Sequence, residues 1–218
     1  MTELWQYFRD NQSDIATWTW TTIWLAGGAL LAGLVIALPF GWLASRFRWT
    51  YPPLITFAGL IYTIPSLVLF VTMPGLLGTK VLDPINVGVA LTAYTVALLV
   101  RVVADGLASV SADTIAAASA MGYTGRQRLL SVQLPIAVPV IGAGLRVAAV
   151  SNVSLISVAS LVGVQQLGQL FVLGNQQVRL VPIVLGVIII MVLAFAFDAV
   201  ILLVIRALTP WQRAVRAR

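Results

Sequence analysis

The side chains that most often carry catalysis are absent from this chain. It has no His and no Cys, which excludes imidazole acid–base chemistry, disulfides, thiol nucleophiles and His or Cys metal sites. The segment GLLGTK, residues 75–80, resembles a phosphate loop but does not match G-x-x-x-x-G-K-[ST]. The sequence therefore predicts no catalytic residue, no metal site and no cofactor bound by this chain.

Polar side chains do interrupt two strongly apolar segments, where they could line a path for a solute. The first set, in segment 136–162, is Ser151, Asn152, Ser154, Ser157 and Ser160. Spacings of three and four keep several of them near one helix face. The alternative is that they bond to neighbouring helices or to the preceding turn. The second set, in segment 53–73, is Thr63, Pro65 and Ser66, where the proline frees a backbone carbonyl.

Two charged residues, Arg146 and Asp198, also lie within apolar segments. Charge inside a membrane is costly, so such residues are usually paired or functional. Both are expected in the cytoplasmic half of their segments. They could pair with each other, or the long Arg146 side chain could extend to the membrane surface.

The composition explains why polar groups are so few. Of 218 residues, 60% are hydrophobic and 9% are charged, and the mean hydropathy is +1.00. Soluble domains carry about 25% charged residues, so the chain is predicted to be an integral membrane protein. Its formal charge of +6 forms no basic face, which predicts lipid and not nucleic acid as its surroundings. The N-terminus lacks a basic region, so no cleavable signal peptide is expected.

The apolar segments predict an all-α membrane fold with about five spans. The segments are 18–43, 53–73, 84–103, 136–162 and 180–206. Residues 1–17 are predicted to form an arm at the membrane surface, residues 18–210 one transmembrane domain, and residues 211–218 a basic tail. In the first span, Ala29-x-x-x-Gly33 and Gly28-x-x-x-Ala32 could mark a close helix contact or only reflect the small residues common in membrane helices.

Basic residues predict the orientation. With five spans, one side of the membrane receives Arg46, Arg48, Arg101, Arg126, Arg128 and the arginines of the tail. The other side receives Arg9, Lys80 and Arg179, together with Glu3, Asp10, Asp14 and Asp83. The positive-inside rule therefore predicts an external N-terminus and a cytoplasmic C-terminus.

The long polar interval 111–135 predicts a pair of short helices on the cytoplasmic side. Ser111 or Asp113 can cap the first helix, and Gly122 suits the left-handed residue that ends it. Thr124-x-x-Gln127 has the spacing of a capping box for the second helix. Pro135 is expected to stop or redirect that helix. We call residues 111–135 the knob.

The knob resembles the EAA loop of ABC-importer permeases, E-A-A-x-x-x-G followed downstream by L-P. Ala116-Ala117-Ala118 and Gly122 match it, with Ala116 at the family glutamate, and Leu134-Pro135 follows. The segments YTIPSL (62–67), LPIAVPVI (134–141) and AGLR (143–146) are similar to the osmoprotectant permeases. The resemblance covers roughly residues 20 to 210, and its specificity comes from the order and spacing of these motifs.

This resemblance implies a type I importer permease fold in the bacterial cytoplasmic membrane. It implies two cytoplasmic ATPases holding ATP and Mg²⁺, a second permease subunit of the same or a sister chain, and an external solute-binding protein. It implies that the knob docks on the ATPase, with these coupling residues: Asp113, Ile115, Ala116, Ala117, Ala118, Met121, Gly122, Tyr123 and Pro135. The loop GVQQLG, residues 163–168, resembles the family's G-A-G-G-L-G and could meet the binding protein or gate the external opening.

The function predicted from the resemblance is import of an osmoprotectant such as glycine betaine, choline, carnitine or proline. Three alternatives are import of another small solute such as an amino acid, an ion-coupled secondary carrier, and a membrane scaffold that transports nothing. A carrier is expected to show ionisable groups at mid-membrane and internal repeats, and neither is evident. Reconstitution of the chain alone separates the classes, because only a carrier would move solute unaided.

Overall fold

Every regular element among residues 2–211, the part of the chain described by the computed structural model, is a helix. The helices are α1 (Thr2–Asp10), α2 (Gln12–Arg46), α3 (Tyr51–Thr63), α4 (Ser66–Leu77), α5 (Pro84–Ala108), α6 (Ala112–Ala120), α7 (Gly125–Arg128), α8 (Leu134–Ile156), α9 (Gln169–Gln176) and α10 (Leu180–Leu208). A π-helical turn, Leu129–Gln133, precedes α8, and a 3₁₀ helix, Ser157–Val162, follows it. The predicted basic tail, apart from Trp211, lies outside the described residues.

Four continuous helical segments are long and apolar enough to cross a membrane. They are Gln12–Arg46, Pro84–Ala108, Gly125–Val162 and Leu180–Leu208. The fifth apolar segment is the pair α3 and α4, which are bent by 101° at their junction. The predicted all-α fold with about five apolar segments is therefore confirmed, and the break in the helix lies at Pro65, where the sequence predicted a freed backbone carbonyl.

Pro65 is the physical cause of this bend. Proline has no N–H to donate and disfavours helical backbone at the residue before it. Ile64 accordingly adopts an extended conformation, with φ −66° and ψ 129°. The hydroxyl of Tyr94, on α5, donates a hydrogen bond to the Ile64 carbonyl that the break leaves free. The broken backbone is thus satisfied by the neighbouring helix.

The residues assigned to the surface arm are divided between two helices. Helix α2 begins at Gln12, so its first turns occupy residues that the sequence assigned to the surface arm. Only α1 precedes it, and Leu4, Tyr7 and Phe8 of α1 pack on an apolar cluster that contains Leu185 of α10. The first helix is therefore held against the transmembrane helices by apolar contacts.

Among the helices that the structure describes, α2 and α5 form the most extensive pair. Small residues of α2 make this approach possible. A Cβ built on Gly33 would lie 2.4 Å from a side-chain carbon of Thr95, and one on Gly41 would lie 2.5 Å from Val103. Ala29 is also buried, at 3% exposure. The prediction of a close helix contact is confirmed for Ala29 and Gly33, and the contact lies within the chain.

We expect Gly33→Ala to lower the unfolding temperature of the detergent-solubilised protein. The new methyl group would overlap Thr95, and such overpacking costs about 1–3 kcal/mol. Gly28→Ala is the matched control, because a Cβ there meets nothing within 4 Å. Alanine favours helix by about 1 kcal/mol over glycine, so the control should keep or raise the unfolding temperature. Equal unfolding temperatures for the two variants would contradict the tight α2–α5 contact.

Candidate functional site

Within the knob, α6 and α7 are joined by a turn at Gly122, and the π-helical turn and the first residues of α8 follow. The Ser111 hydroxyl accepts a hydrogen bond from the Thr114 N–H at 3.2 Å and so caps α6. Gly122 adopts φ +83°, the left-handed region in which other residues are strained. Thr124 and Gln127 form a reciprocal capping box at the start of α7. These predicted features are confirmed, with Ser111 and not Asp113 as the cap of α6.

Pro135 does not stop or redirect the second helix of the knob, so that prediction is wrong. It lies in the first turn of α8, where the N–H that proline lacks has no α-helical partner to lose. The π-helical turn over Leu129–Gln133 changes the hydrogen-bonding register just before the proline. Gly125–Val162 is consequently one helical segment of 38 residues, which connects the knob directly to the membrane-spanning part of the chain.

The two faces of α6 differ in exposure. Ala118 is 2% exposed and Ile115 is half-buried, so this face packs against the rest of the chain. Asp113, Ala116, Ala117, Met121 and Tyr123 are exposed, and Met121 reaches 69% exposure. The outward face is therefore small and largely apolar, with one projecting methionine, a shape that fits into a groove of another protein.

The exposed side of α8 forms a continuous stripe. It consists of Ile136, Val140, Ala143, Val147, Val150 and Ser154. The intervals of three and four residues place these side chains on one helix face, which we call the α8 stripe. Ser154 is thus exposed on this face, while Ser151 and Ser157 are half-buried. The stripe is the face of α8 that is available to a solute pathway or to a second subunit.

Asn152 lies on the buried side of α8, with 2% exposure. Its side-chain amide donates a hydrogen bond of 2.9 Å to the Thr95 hydroxyl of α5 and one of 3.5 Å to the Ala26 carbonyl of α2. The Thr95 hydroxyl in turn donates to the Leu91 carbonyl at 2.8 Å. For Asn152 the structure therefore shows helix-to-helix hydrogen bonding, which was the alternative to a pathway role.

Two serines of this set, Ser157 and Ser160, bond to the backbone of their own helical segment. The Ser157 hydroxyl donates to the Ser154 carbonyl at 2.7 Å, and the Ser160 hydroxyl donates to the Ser157 carbonyl at 2.8 Å. These bonds fall where the α-helix tightens into the 3₁₀ helix Ser157–Val162. Helix α4 packs against that 3₁₀ helix, so the structure brings the two predicted polar sets onto contacting elements.

The second polar set lies at the break between α3 and α4. Thr63 and Pro65 are exposed, and Ser66 is half-buried. The Thr63 hydroxyl donates to the Leu60 carbonyl at 2.7 Å. Beside the break, the ring of Tyr62 meets the ring of Tyr94 edge-on, with centroids 5.8 Å apart. The break therefore presents an aromatic and polar surface on an otherwise apolar pair of helices.

Arg146 of α8 and Asp198 of α10 form an ion pair, which confirms the pairing prediction. The Arg146 Nε donates to one carboxylate oxygen at 2.6 Å, and a terminal nitrogen donates to the other at 2.8 Å. The side chains are 38% and 28% exposed. Arg146 lies about 18 Å along the helix from Leu134, at about 1.5 Å per residue, so the pair is well inside the spans. It borders the α8 stripe, since Val147 is its neighbour.

The loop 163–168 is fixed by a buried side chain. Gln166 has 0% exposure, its carbonyl oxygen accepts the Gly168 N–H at 2.6 Å, and its amide donates to the Ser157 carbonyl at 3.2 Å. The backbone N–H of Leu167, the residue after Gln166, donates to the Thr22 hydroxyl of α2 at 3.2 Å. The loop is consequently tied both to the end of α8 and to α2.

We expect Gln166→Leu to lower the unfolding temperature, because the buried Gly168 N–H would lose its acceptor. An unsatisfied buried donor costs about 1–3 kcal/mol. Gln165→Leu is the matched control, because Gln165 is exposed and a surface change costs about 0.5 kcal/mol or less. Thermal unfolding in detergent measures both variants. A Gln166→Leu protein as stable as the Gln165→Leu protein would show that these hydrogen bonds do not hold the loop.

Within residues 2–211, no group of three or more His, Cys, Asp or Glu side chains could hold a metal ion. Sequence analysis missed Thr22, Tyr94 and Thr95, which bond to distant segments of the chain. The available signal was their polar character inside apolar helices. It identifies such residues as partners in some hydrogen bond, but not which segment supplies the partner.

Comparison with known proteins places the chain in a family. The model of the binding-protein-dependent transport system inner membrane component matches residues 29–210. The chain belongs to this family. The osmoprotectant import permease protein OsmW of Salmonella typhimurium is 32% identical over 197 residues, covering 88% of this chain and 90% of that protein. The glycine betaine/carnitine/choline transport system permease protein OpuCB of Bacillus subtilis is 25% identical over 210 residues, covering 96% and 95%.

Two solved structures share the fold of this inner membrane component. The MetNI methionine ABC transporter, in an inward-facing conformation, matches with a TM-score of 0.74 at 24% identity, covering 92% of this chain and 98% of that one. An amino acid ABC transporter crystallised with histidines matches with a TM-score of 0.72 at 17% identity, covering 93% and 97%. The fold is therefore that of a type I ABC-importer permease, and the protein is a multi-pass component of the cytoplasmic membrane.

Proposed function

We propose that this inner membrane component is the permease subunit of an ATP-driven importer of osmoprotectants such as glycine betaine, choline, carnitine or proline. The observation that carries the proposal is the knob: an outward alanine face at one end of a helical segment that continues into the membrane. The cargo assignment is supported by the names of the related permeases from Salmonella typhimurium and Bacillus subtilis.

In this proposal the chain catalyses nothing itself. Two partner ATPases bind ATP and Mg²⁺, and the exposed face of α6 docks in a groove of one of them. Asp113, Ala116, Ala117, Met121 and Tyr123 supply this contact, while Ile115 and Ala118 hold α6 to the chain. The turn at Gly122 lets α6 contact the ATPase with one face and the rest of this chain with the other. Since α7, the π-helical turn and α8 are continuous, closure of the two ATPases on each other would move α7 and α8 together.

The pathway is proposed to run along the α8 stripe, facing a second permease subunit. Ser151, Ser154 and Ser157 border it, and Thr63, Pro65 and Ser66 contribute from the α3–α4 break. Asn152 lies on the opposite, buried side of α8 and keeps the helix in position, because its hydrogen bonds hold α8 to α5 and α2. Alternating access then follows from rotation of α8 relative to its counterpart in the second subunit. An external binding protein delivers the solute near the loop 163–168.

The proposed orientation places the N-terminus outside and the knob in the cytoplasm, as the positive-inside rule predicts. The absence of Cys from the sequence makes a direct test possible. In intact cells, a membrane-impermeant maleimide should label Gln177→Cys, at an exposed position after α9. It should label Ala120→Cys, exposed at the end of α6, only after permeabilisation. Labelling of Ala120→Cys in sealed cells would show that the chain has the opposite orientation, with the knob outside.

Solute uptake by liposomes tests the cargo and the class of transporter. Liposomes containing the permease, a second permease and the ATPase should take up glycine betaine only with ATP inside and binding protein outside. Uptake of an amino acid instead, under the same conditions, would support the ATP-driven mechanism but would show that the cargo is not an osmoprotectant. Uptake by the permease alone, driven by an ion gradient, would refute the importer.

A further inference from the structure

A pocket of about 690 Å³ lies between the knob and the ends of two membrane-spanning helices. Its walls come from the C-terminal ends of α2 and α5, from the inward face of α6, from α7 and from the π-helical turn. The pocket therefore lies between the knob and the membrane-spanning part of the chain. It is separate from the outward face of α6 and from the α8 stripe.

Three arginines from two elements line this pocket: Arg46 at the end of α2, and Arg126 and Arg128 on α7. None of the lining residues is acidic. The nearest carboxylates in sequence are Asp113 and Asp105, and neither lines it; Asp105 accepts a hydrogen bond from Tyr51 at 2.8 Å. Among the described residues that line it, the pocket therefore gathers three positive charges and no carboxylate, which favours an anion.

The rest of the lining identifies the kind of anion. Trp42 lies one turn before Arg46, the position at which tryptophan anchors a helix at the membrane surface. Leu107, Val110 and Leu129 give the pocket an apolar wall. A free cytoplasmic anion such as inorganic phosphate would make no favourable contact with that apolar wall. A phospholipid combines a phosphate with an apolar body and lies at the level of helix ends.

We propose that this pocket holds the phosphate of an anionic phospholipid headgroup. Arginine binds phosphate through a planar fork of donors, and basic pockets at the ends of membrane helices commonly bind anionic headgroups. Arg46 and Arg126 bind the phosphate from α2 and α7, and Trp42 packs against the glycerol region. Arg128 also donates to the Ser119 hydroxyl, so it holds α7 to α6 beside the lipid. The lipid thereby ties the knob to the membrane.

Lipid binding by the purified, delipidated full-length chain tests the proposal without any ATPase or cargo. Native mass spectrometry measures binding of phosphatidylglycerol, phosphatidylcholine and inorganic phosphate at equal concentrations. The first phosphatidylglycerol should bind at least about tenfold more tightly than phosphatidylcholine, as expected for loss of about 1.4 kcal/mol or more of headgroup interaction. Inorganic phosphate at the same concentration should not displace it.

The variant R46Q/R126Q should lose this preference, so that phosphatidylglycerol binds no better than phosphatidylcholine. The matched control is R48Q/R101Q, which removes the same charge from exposed arginines that do not line the pocket. The single variant R126Q, at an exposed position on α7, serves if the double variant does not fold, and should weaken the preference. Wild-type preference in R46Q/R126Q or R126Q, or its loss in R48Q/R101Q, would overturn the site. Displacement by inorganic phosphate would assign the pocket to a free anion instead.

Discussion

Removing either member of the Arg146–Asp198 pair is expected to reduce the amount of folded permease in the membrane by roughly tenfold or more. Asp198→Asn leaves the Arg146 guanidinium without a counter-charge inside the spans, and Arg146→Gln leaves the carboxylate alone. The pair also joins α8 to α10 through two hydrogen bonds of 2.6 and 2.8 Å. The double variant R146Q/D198N should recover much of the loss, because it leaves no unpaired charge.

Fluorescence-detected size-exclusion chromatography of detergent extracts measures the folded fraction of each variant. Asp10→Asn is the control, since it neutralises an exposed carboxylate on α1 and should match the wild type. Single variants that assemble as well as the wild type would show that the pair is dispensable for folding. A double variant no better than either single one would mean that the hydrogen-bond geometry, and not charge balance, is what the fold requires.

Replacing Ala117 with tryptophan is expected to abolish transport-coupled ATP hydrolysis while leaving the permease folded. Ala117 is exposed on the outward face of α6, where alanines leave room for a partner surface. A tryptophan there would hold α6 away from a groove built for small side chains. Loss of a docked helix of this kind should reduce stimulated hydrolysis by about tenfold or more, as removal of a central interface contact does.

Ala117→Ser provides the size control at the same position, and it should retain activity near that of the wild type. Size-exclusion profiles and unfolding temperatures should be unchanged in both variants, because Ala117 contacts solvent in the isolated chain. ATPase activity of the assembled transporter in liposomes is the measurement. Full activity in Ala117→Trp would remove the outward face of α6 from the coupling contact.

Local features of the knob could be predicted because neighbouring residues determine them. Gly122 at φ +83° and the Thr124–Gln127 capping box each depend on a few consecutive residues. Pro135 shows the limit of such reasoning. The helix continues through Pro135, where a π-helical turn shifts the hydrogen-bonding register, and also through Pro39 and Pro139, but it breaks at Pro65. The presence of a proline alone therefore does not determine whether the helix ends.

Contacts between distant segments could be predicted only where charge restricted the choice of partners. Arg146 and Asp198 were two charges expected within apolar segments, so a pair between them was one of two possibilities, beside extension of Arg146 to the membrane surface. Asn152 had many possible acceptors, and its bonds to Thr95 and Ala26 depend on how α8 packs against α5 and α2. Gln166 presents the same problem, since its burial follows from the path of the loop and not from its neighbours in sequence.

The central claim is that ATP hydrolysis in partner subunits drives solute through this permease by way of the knob. The most direct test is ATPase activity in liposomes containing the permease, a second permease, the ATPase and the binding protein, with and without glycine betaine. We predict stimulation that requires loaded binding protein and is lost when Gly122 is replaced by valine, which is strained at φ +83°. Hydrolysis that is indifferent to loaded binding protein and to the knob would contradict the account.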